Sequence, residues 1–195
     1  MYLYLVRHGQ SVGNEQKLFF GWSDHPLTQL GREQARQAAE KLKGIPFTRC
    51  MASDLSRAWE TALICLEGRG VAPEPCPALR EQNMGDFEDC TWQQAQARHG
   101  DLVERLVRDW FHTTPPEGEG PEEMARRVNA CVDGLIRAGE DTLVVAHNGS
   151  LSLVLKHLGL AGEGQLLRPG WFFEHGSYTA IEIENNRAVL RGFNL

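Results

Sequence analysis

What most constrains this 195-residue chain is an alternation: strand-length apolar runs take turns with stripes of helical period almost from end to end. "YLYLV" (2–6) and "TLVVA" (142–146) are short, continuous and rich in β-branched or aromatic residues, as expected of strands covered on both faces. "FTRCMAS" (47–53) predicts a short strand interrupted by Arg49, and the Pro-rich "EPCPALRE" (74–81) an edge strand or a loop. Between the strands come helical faces. Leu30, Ala35, Ala38, Ala39 and Leu42 follow a Thr28 cap and stop at Gly44 and Pro46. Leu55, Ala58, Trp59, Ala62, Leu63 and Leu66 recur at helical spacing behind a cap at Ser53 or Asp54, with Arg57 off the stripe. Met124, Val128, Cys131, Val132 and Leu135 follow Pro121, a residue suited to a first helical turn. "LSLVLKHLGL" (151–160) predicts the helix after the strongest strand, and "YTAIEIENNRAVLRGF" a hairpin turning at Asn185-Asn186. Strands separated by helices pair in parallel, so the expectation is an α/β fold, a three-layer αβα sandwich around a mostly parallel sheet with a short antiparallel end.

The length suits a single domain over residues 1–195. Residues 90–112 fall outside the rhythm and read as one or two extra helices, followed by the loop "TTPPEGEGP" (113–121). A net charge of −6 with no Lys/Arg stripe argues against a nucleic-acid partner, so any bound anion must be held by a local cluster. Five scattered cysteines without a Cys-x-x-Cys spacing read as buried reduced thiols, neither a disulfide framework nor a zinc site. No stretch approaches 18 apolar residues and the N-terminal run is too short for a secretory core, which predicts no membrane partner and a cytoplasmic location.

Ligands of open parallel sheets bind outside the carboxyl ends of the strands, and the polar residues of this chain fall there. Arg7 and His8 leave the first strand, Ser53 and Arg57 the second, Glu81 the short third segment, and His147 with Asn148-Gly149-Ser150 the strongest one. Two arginines can grip a phosphoryl group with charge-assisted, forked hydrogen bonds, and helix N-termini after Ser53 and His147 would add N–H donors. Adjacent guanidiniums disfavour imidazolium, so His8 would be neutral and able to attack phosphorus. Glu81 must keep a proton to give to a leaving alkoxide, a form favoured beside an anionic phosphate. Gly9 would allow a close backbone approach, and Gly149 would serve a turn of positive φ. Each residue alone has a bland reading, a structural histidine or a solvated arginine; their common placement at strand ends gives them weight.

The segments "LVRHGQSVGN", "GWSDHPLTQLGREQA", "ASDLSRAWETA", "LREQNMGDFED", "PPEGEGPEEMARRV" and "VVAHNGS" together resemble the histidine phosphatase superfamily, the phosphoglycerate mutase-like family, over nearly the whole chain. The resemblance implies that His8 becomes a phosphohistidine, that Arg7, Arg57 and His147 form the phosphate pocket, and that Glu81 donates the proton. Asn14 would reach the phosphate or orient its loop, and Asn148 would contribute to the phosphate cradle. No metal and no other cofactor is implied. Residues 90–120 would cover the crevice as a helical, lid-like insertion, with Trp92, His99, Trp110 and His112 facing the leaving group or packing among themselves, and Phe19, Phe20 and Trp22 at the entrance.

Departures from the family pattern bear on the substrate. Asn148 stands where glycine is usual, Ser152 where arginine is frequent, Gly120 where serine is common, and Asp89 in place of a glycine. Mutases of the family carry "ERHYG" after the acid; here the stretch is "EQNMG" (81–85). The expectation is therefore a metal-independent phosphatase of small-molecule phosphate monoesters, similar to α-ribazole phosphatases. Mutase-type phosphoryl transfer and a phosphate-binding module with little activity are the alternatives. A metal-dependent hydrolase would need a compact ligand set such as H-E-x-x-H, which is absent. The C-terminal hairpin offers an edge through which a homo-oligomer could form.

Overall fold

The structure, a computed structural model, describes residues 1–166, 171–185 and 187–195. Its framework is one six-stranded sheet in the order β3-β2-β4-β1-β5-β6. The strands are β1 (Tyr2–Arg7), β2 (Arg49–Ala52), β3 (Pro73–Pro75), β4 (Thr142–Ala146), β5 (Thr179–Glu184) and β6 (Arg187–Gly192). The first four run parallel, β5 pairs antiparallel with β1 and β6 antiparallel with β5, so the sheet has the short antiparallel end that the alternation predicts. β4 is buried throughout. Its partner β1 is set in register by Leu5 opposite Val144.

Period-two alternation assigns each central strand's side chains to two helical layers. Tyr4, Val6, Leu143 and Val145 face α2 (Gln29–Lys41) and α3 (Ser56–Cys65), meeting Ala38, Leu42, Ala58 and Ala62. Leu3, Leu5, Val144 and Ala146 face α6 (Pro121–Ala138) and α7 (Asn148–His157), meeting Met124, Val128, Leu151 and Leu155. Each buried Leu, Val or Met among these stabilises the fold by about 1.5–3 kcal/mol. A third cluster holds the insertion: α4 (Trp92–His99) and α5 (Asp101–Arg108) bury Ala95, Val103 and Leu106 against Phe87. Two one-turn helices, α1 (Val12–Glu15) and α8 (Glu163–Leu166), complete the α-helices of the described residues, and Pro77–Leu79, Gly85–Phe87 and Trp110–His112 form 3-10 turns.

Several local expectations are corrected. Leu30 and Leu63, placed on buried stripes by spacing, are 47% exposed, because each lies at the edge of a face already filled by alanines. α3 is not capped by Ser53 or Asp54; Asp24, from a distant loop, accepts the Ser56 N–H and hydroxyl at 2.8 Å. α7 begins at Asn148, three residues before the expected start, so His147 is its N-cap. In the hairpin Asn185 has φ +50°, suited to a tight turn, while Asn186 lies outside the described residues. The five cysteines are free thiols, with Cys76 and Cys131 Sγ atoms 3.5 Å apart. No helix among the described residues is long and apolar enough to cross a membrane.

Candidate active site

The ends of β1, β2 and β4 and the segment after β3 meet at one crevice, bringing together Arg7, His8, Arg57, Glu81 and His147. His8 is 3% exposed, and its ring centroid lies 5.0 Å from that of His147. Its Nδ1 is 2.7 Å from the Gly9 carbonyl oxygen, which can only accept; Nδ1 therefore carries the proton and Nε2 the lone pair. Burial first, then His147, Arg57 and Arg7, hold the His8 pKa well below the usual 6.5. His147, whose Nε2 meets Ser53 Oγ at 2.8 Å, is held low by burial and the same two arginines.

Arg57, off its helix stripe, is among the largest fully buried side chains. Its Nη groups donate to the carbonyls of Gly21 (2.6 Å) and Ser23 (3.0 Å), and its guanidinium lies 4.9 Å from the Phe20 ring centroid. Those carbonyls point inward because the N–H groups of Gly21, Trp22 and Ser23 all donate to the Glu88 carboxylate, at 2.8 to 3.1 Å. Arg7 donates to the Phe173 carbonyl at 3.0 Å. Burial lowers both arginines, Arg57 to about 10, which leaves it cationic at neutral pH. The Nε–H of each is buried without a hydrogen-bond partner among the described residues. Two orphaned guanidinium donors beside a neutral imidazole need an acceptor rich in lone pairs and negative charge, which a phosphoryl group supplies.

Glu81 Oε2 accepts the Gly149 N–H at 2.9 Å and Oε1 the Gln82 N–H at 3.0 Å. This explains two glycines differently from the sequence reading. Gly149 lies in α7 without a positive φ; a Cβ there would stand 2.2 Å from Glu81 Oε1. At Gly9 the close approach is made by the Gly31 carbonyl, 2.1 Å from where a Cβ would be, locking β1 to α2. The expected N–H donors of the helix ends are likewise engaged elsewhere, α3 with Asp24 and Gly149 with Glu81.

The remaining candidates take supporting positions. Asn14 Oδ1 accepts from Ser11 N and Oγ at 3.0 Å, which caps α1 and orients its loop. Asn148 Oδ1 accepts the Phe173 N–H at 3.0 Å, so its carbonyl latches the 171–175 segment. Asp89 adopts φ +61°, the backbone that makes glycine usual there, and is held by Ser23 Oγ at 2.8 Å and His25 Nε2 at 2.6 Å. Gly120 precedes α6 with no side-chain cap.

Beside Glu81 opens a cavity of about 340 Å³, lined by Phe19, Phe20, Leu106, Trp110, Phe111 and Phe172 among others, with Ser152 in its wall. Of the aromatic candidates, Trp92, His99, His112 and Trp22 do not line it. Trp92 packs on Phe19, His99 stands edge-on to Phe87, His112 pairs with Asp109, and Trp22 covers Arg80. Reading by sequence missed Glu88, Gln82, Glu119, Arg127 and His175. Arg127 alone had a signal, a charge three residues after Met124 within an apolar stripe. His175 comes from the far end of the chain: it bridges Arg7, its Nδ1 donates to the His8 carbonyl, and burial followed by Arg7 pushes it down to about 4.

A neutral buried imidazole beside two buried arginines, with the Glu81 carboxyl group near both guanidiniums, is a set of groups suited to chemistry on a phosphoryl group. The chain belongs to the histidine phosphatase superfamily (branch 1), whose family profile matches residues 3–195. It is 33% identical over 198 residues to an adenosylcobalamin/α-ribazole phosphatase of Salmonella typhimurium, covering 100% of this chain and 96% of the relative. It is 37% identical over 173 residues to a 2,3-bisphosphoglycerate-dependent phosphoglycerate mutase of Methylobacterium radiotolerans, covering 84% and 82%. The crystal structure of the α-ribazole phosphatase of Shigella flexneri superposes with a TM-score of 0.89 at 30% identity, over 100% of this chain and 96% of that one. Family and relatives make the chain a phosphoric monoester hydrolase acting on a phosphate ester.

Proposed function

We propose that the chain hydrolyses small-molecule phosphate monoesters by two displacements at phosphorus. His8 Nε2 attacks; the N–P bond forms as the P–O bond to the alkoxide breaks, and Glu81 gives its proton to the leaving oxygen. Water then attacks the phosphohistidine, Glu81 takes the proton back, and inorganic phosphate leaves with His8 restored. Arg7 and Arg57 neutralise the equatorial oxygens, His147 and the Asn14 loop complete the pocket, and Asn148 supports it by fixing the 171–175 segment. The stretch 90–120 acts as the lid, since α5 and Trp110 supply one wall of the cavity.

The observation that carries hydrolysis over mutase chemistry is the aromatic and aliphatic lining of the cavity beside Glu81. Such a surface suits an apolar leaving group; a mutase must instead hold a substrate with a second anion. The names of the α-ribazole phosphatase relatives make α-ribazole 5′-phosphate the first substrate to try. A free metabolite in the cytoplasm fits the net charge of −6 better than a nucleic acid does.

The test is phosphate release from a panel of monoesters in the presence of a chelator, comparing the intact chain with His8→Ala and trapping labelled phosphohistidine. Release and label that both vanish in the variant support the reading. Turnover unchanged in His8→Ala refutes the nucleophile, and interconversion of phosphoglycerates without phosphate release replaces hydrolysis by mutase chemistry.

A further inference from the structure

Glu81 follows β3, an edge strand of three residues ending at Pro75, and a single 3-10 turn, Pro77–Leu79. No sheet ladder reaches the residues that present the carboxyl group. One guanidinium does. Arg127, projecting from α6, donates through Nη1 to the carbonyls of Ala78 and Arg80 and through Nη2 to that of Glu81, each at 2.8 Å. Its Nε and Nη2 meet the two oxygens of the buried Glu119 carboxylate at 2.6 and 2.7 Å.

We infer that the Arg127–Glu119 pair is a positioning device for the proton donor, linked through Gln82 to the wall of the leaving-group cavity. Three of the four carbonyls between 78 and 81 are gathered on one planar fork, and the bidentate carboxylate fixes the fork's plane. A lysine ammonium has no such geometry: it is a point charge on a flexible stem. Glu119 in turn is bound to the segment it serves, since its backbone carbonyl accepts Gln82 Nε2 at 2.7 Å and its N–H donates to the Asn83 carbonyl at 2.9 Å. Gln82 Oε1 accepts Trp110 Nε1 at 2.6 Å. The cavity wall and the acid thus belong to one hydrogen-bonded chain.

This rests on Glu81 being the donor, and leaving-group dependence separates the two ideas. An alkyl phosphate needs its leaving oxygen protonated, whereas p-nitrophenyl phosphate leaves as a stable phenolate. The values of kcat/KM for both esters, which report on P–O cleavage, are measured for the intact chain, Arg127→Lys, Glu119→Gln and, as reference, Glu81→Gln. A misplaced acid is expected to lower the alkyl value by about 10–100-fold while the aryl value stays within about threefold. Loss of both esters in parallel, in variants that melt cooperatively, identifies a merely structural pair and overturns the inference. So does an alkyl value within threefold of the intact chain. Should Arg127→Lys fail to fold, Glu119→Gln, nearly isosteric, decides by the same criterion. If Glu81→Gln shows no leaving-group dependence, the donor assignment falls and the positioning role with it; if only Glu119→Gln and Arg127→Lys show none, the positioning role falls alone.

Discussion

His175 offers a quantitative test of the neutral imidazoles gathered around His8. Its Nδ1 donates to the His8 carbonyl, and burial, reinforced by Arg7, lowers its pKa to about 4. In the unfolded chain it titrates near its ordinary 6.5. Between those values the unfolded state binds a proton that the folded state refuses, so the contribution of His175 to stability is present above about pH 6.5 and is lost as pH falls toward 4. The loss over the full span is about 3 kcal/mol, and about 2 kcal/mol between pH 7 and pH 5. For a chain of this size that corresponds to about 4–8 °C in Tm. The assay compares thermal melts of the intact chain and His175→Gln at pH 7 and pH 5. His147, lowered in the same direction, is present in both proteins and cancels from the difference; His8 is held down in part by His175 itself, 5.7 Å away between ring centroids, and losing that contact shifts the difference in the same direction. The intact chain is expected to lose about 4–8 °C more than the variant over this interval. Parallel losses would show that His175 is protonated in the folded state and would refute the desolvation argument.

Gly149→Ala places a methyl group 2.2 Å from Glu81 Oε1 and 3.0 Å from Trp110. Displacing the carboxyl group by about 1 Å is expected to cut kcat/KM for alkyl phosphates by about 100-fold while phosphohistidine still forms from p-nitrophenyl phosphate; equal retention of both activities would contradict it. Arg57→Lys keeps the charge but loses the forked contacts to Gly21 and Ser23, so inhibition by vanadate or inorganic phosphate is expected to weaken by about 10–100-fold. An unchanged inhibition constant would remove Arg57 from the phosphate pocket. Ser152→Arg puts a cation into the apolar cavity wall; KM should rise for esters with aromatic leaving groups and fall for 3-phosphoglycerate, and steady-state kinetics on the pair reads the ratio.

The layers and the outline of the site were legible because their signals are local. Continuous apolar runs such as "TLVVA" mark strands covered on both faces, and period-3.6 stripes such as Ala35, Ala38 and Leu42 report which helix face is buried, without reference to the rest of the chain. Once the strands are ordered, polar residues just past their ends, Arg7, His8, Glu81 and His147, must gather, since a parallel sheet puts those ends on one edge. Spacing errs where two faces compete, as at Leu30 and Leu63, because a stripe records which residues can be buried and not how much partner surface there is to bury them.

The supporting residues left little or no trace in the sequence. Glu88 binds backbone N–H groups, and Arg57 and Arg127 bind backbone carbonyls, which every residue carries and no residue type advertises. His175 reaches the His8 carbonyl across a sequence separation of 167 residues. By itself, then, the sequence determined the order of strands and helices, the edge of the sheet where chemistry would sit, and the residues at each strand end, all consequences of local periodicity. Only the tertiary structure decided that Arg57 is buried, that Gly149 makes room for an acid rather than a turn, and which groups hold that acid, because these depend on backbone atoms brought together by packing.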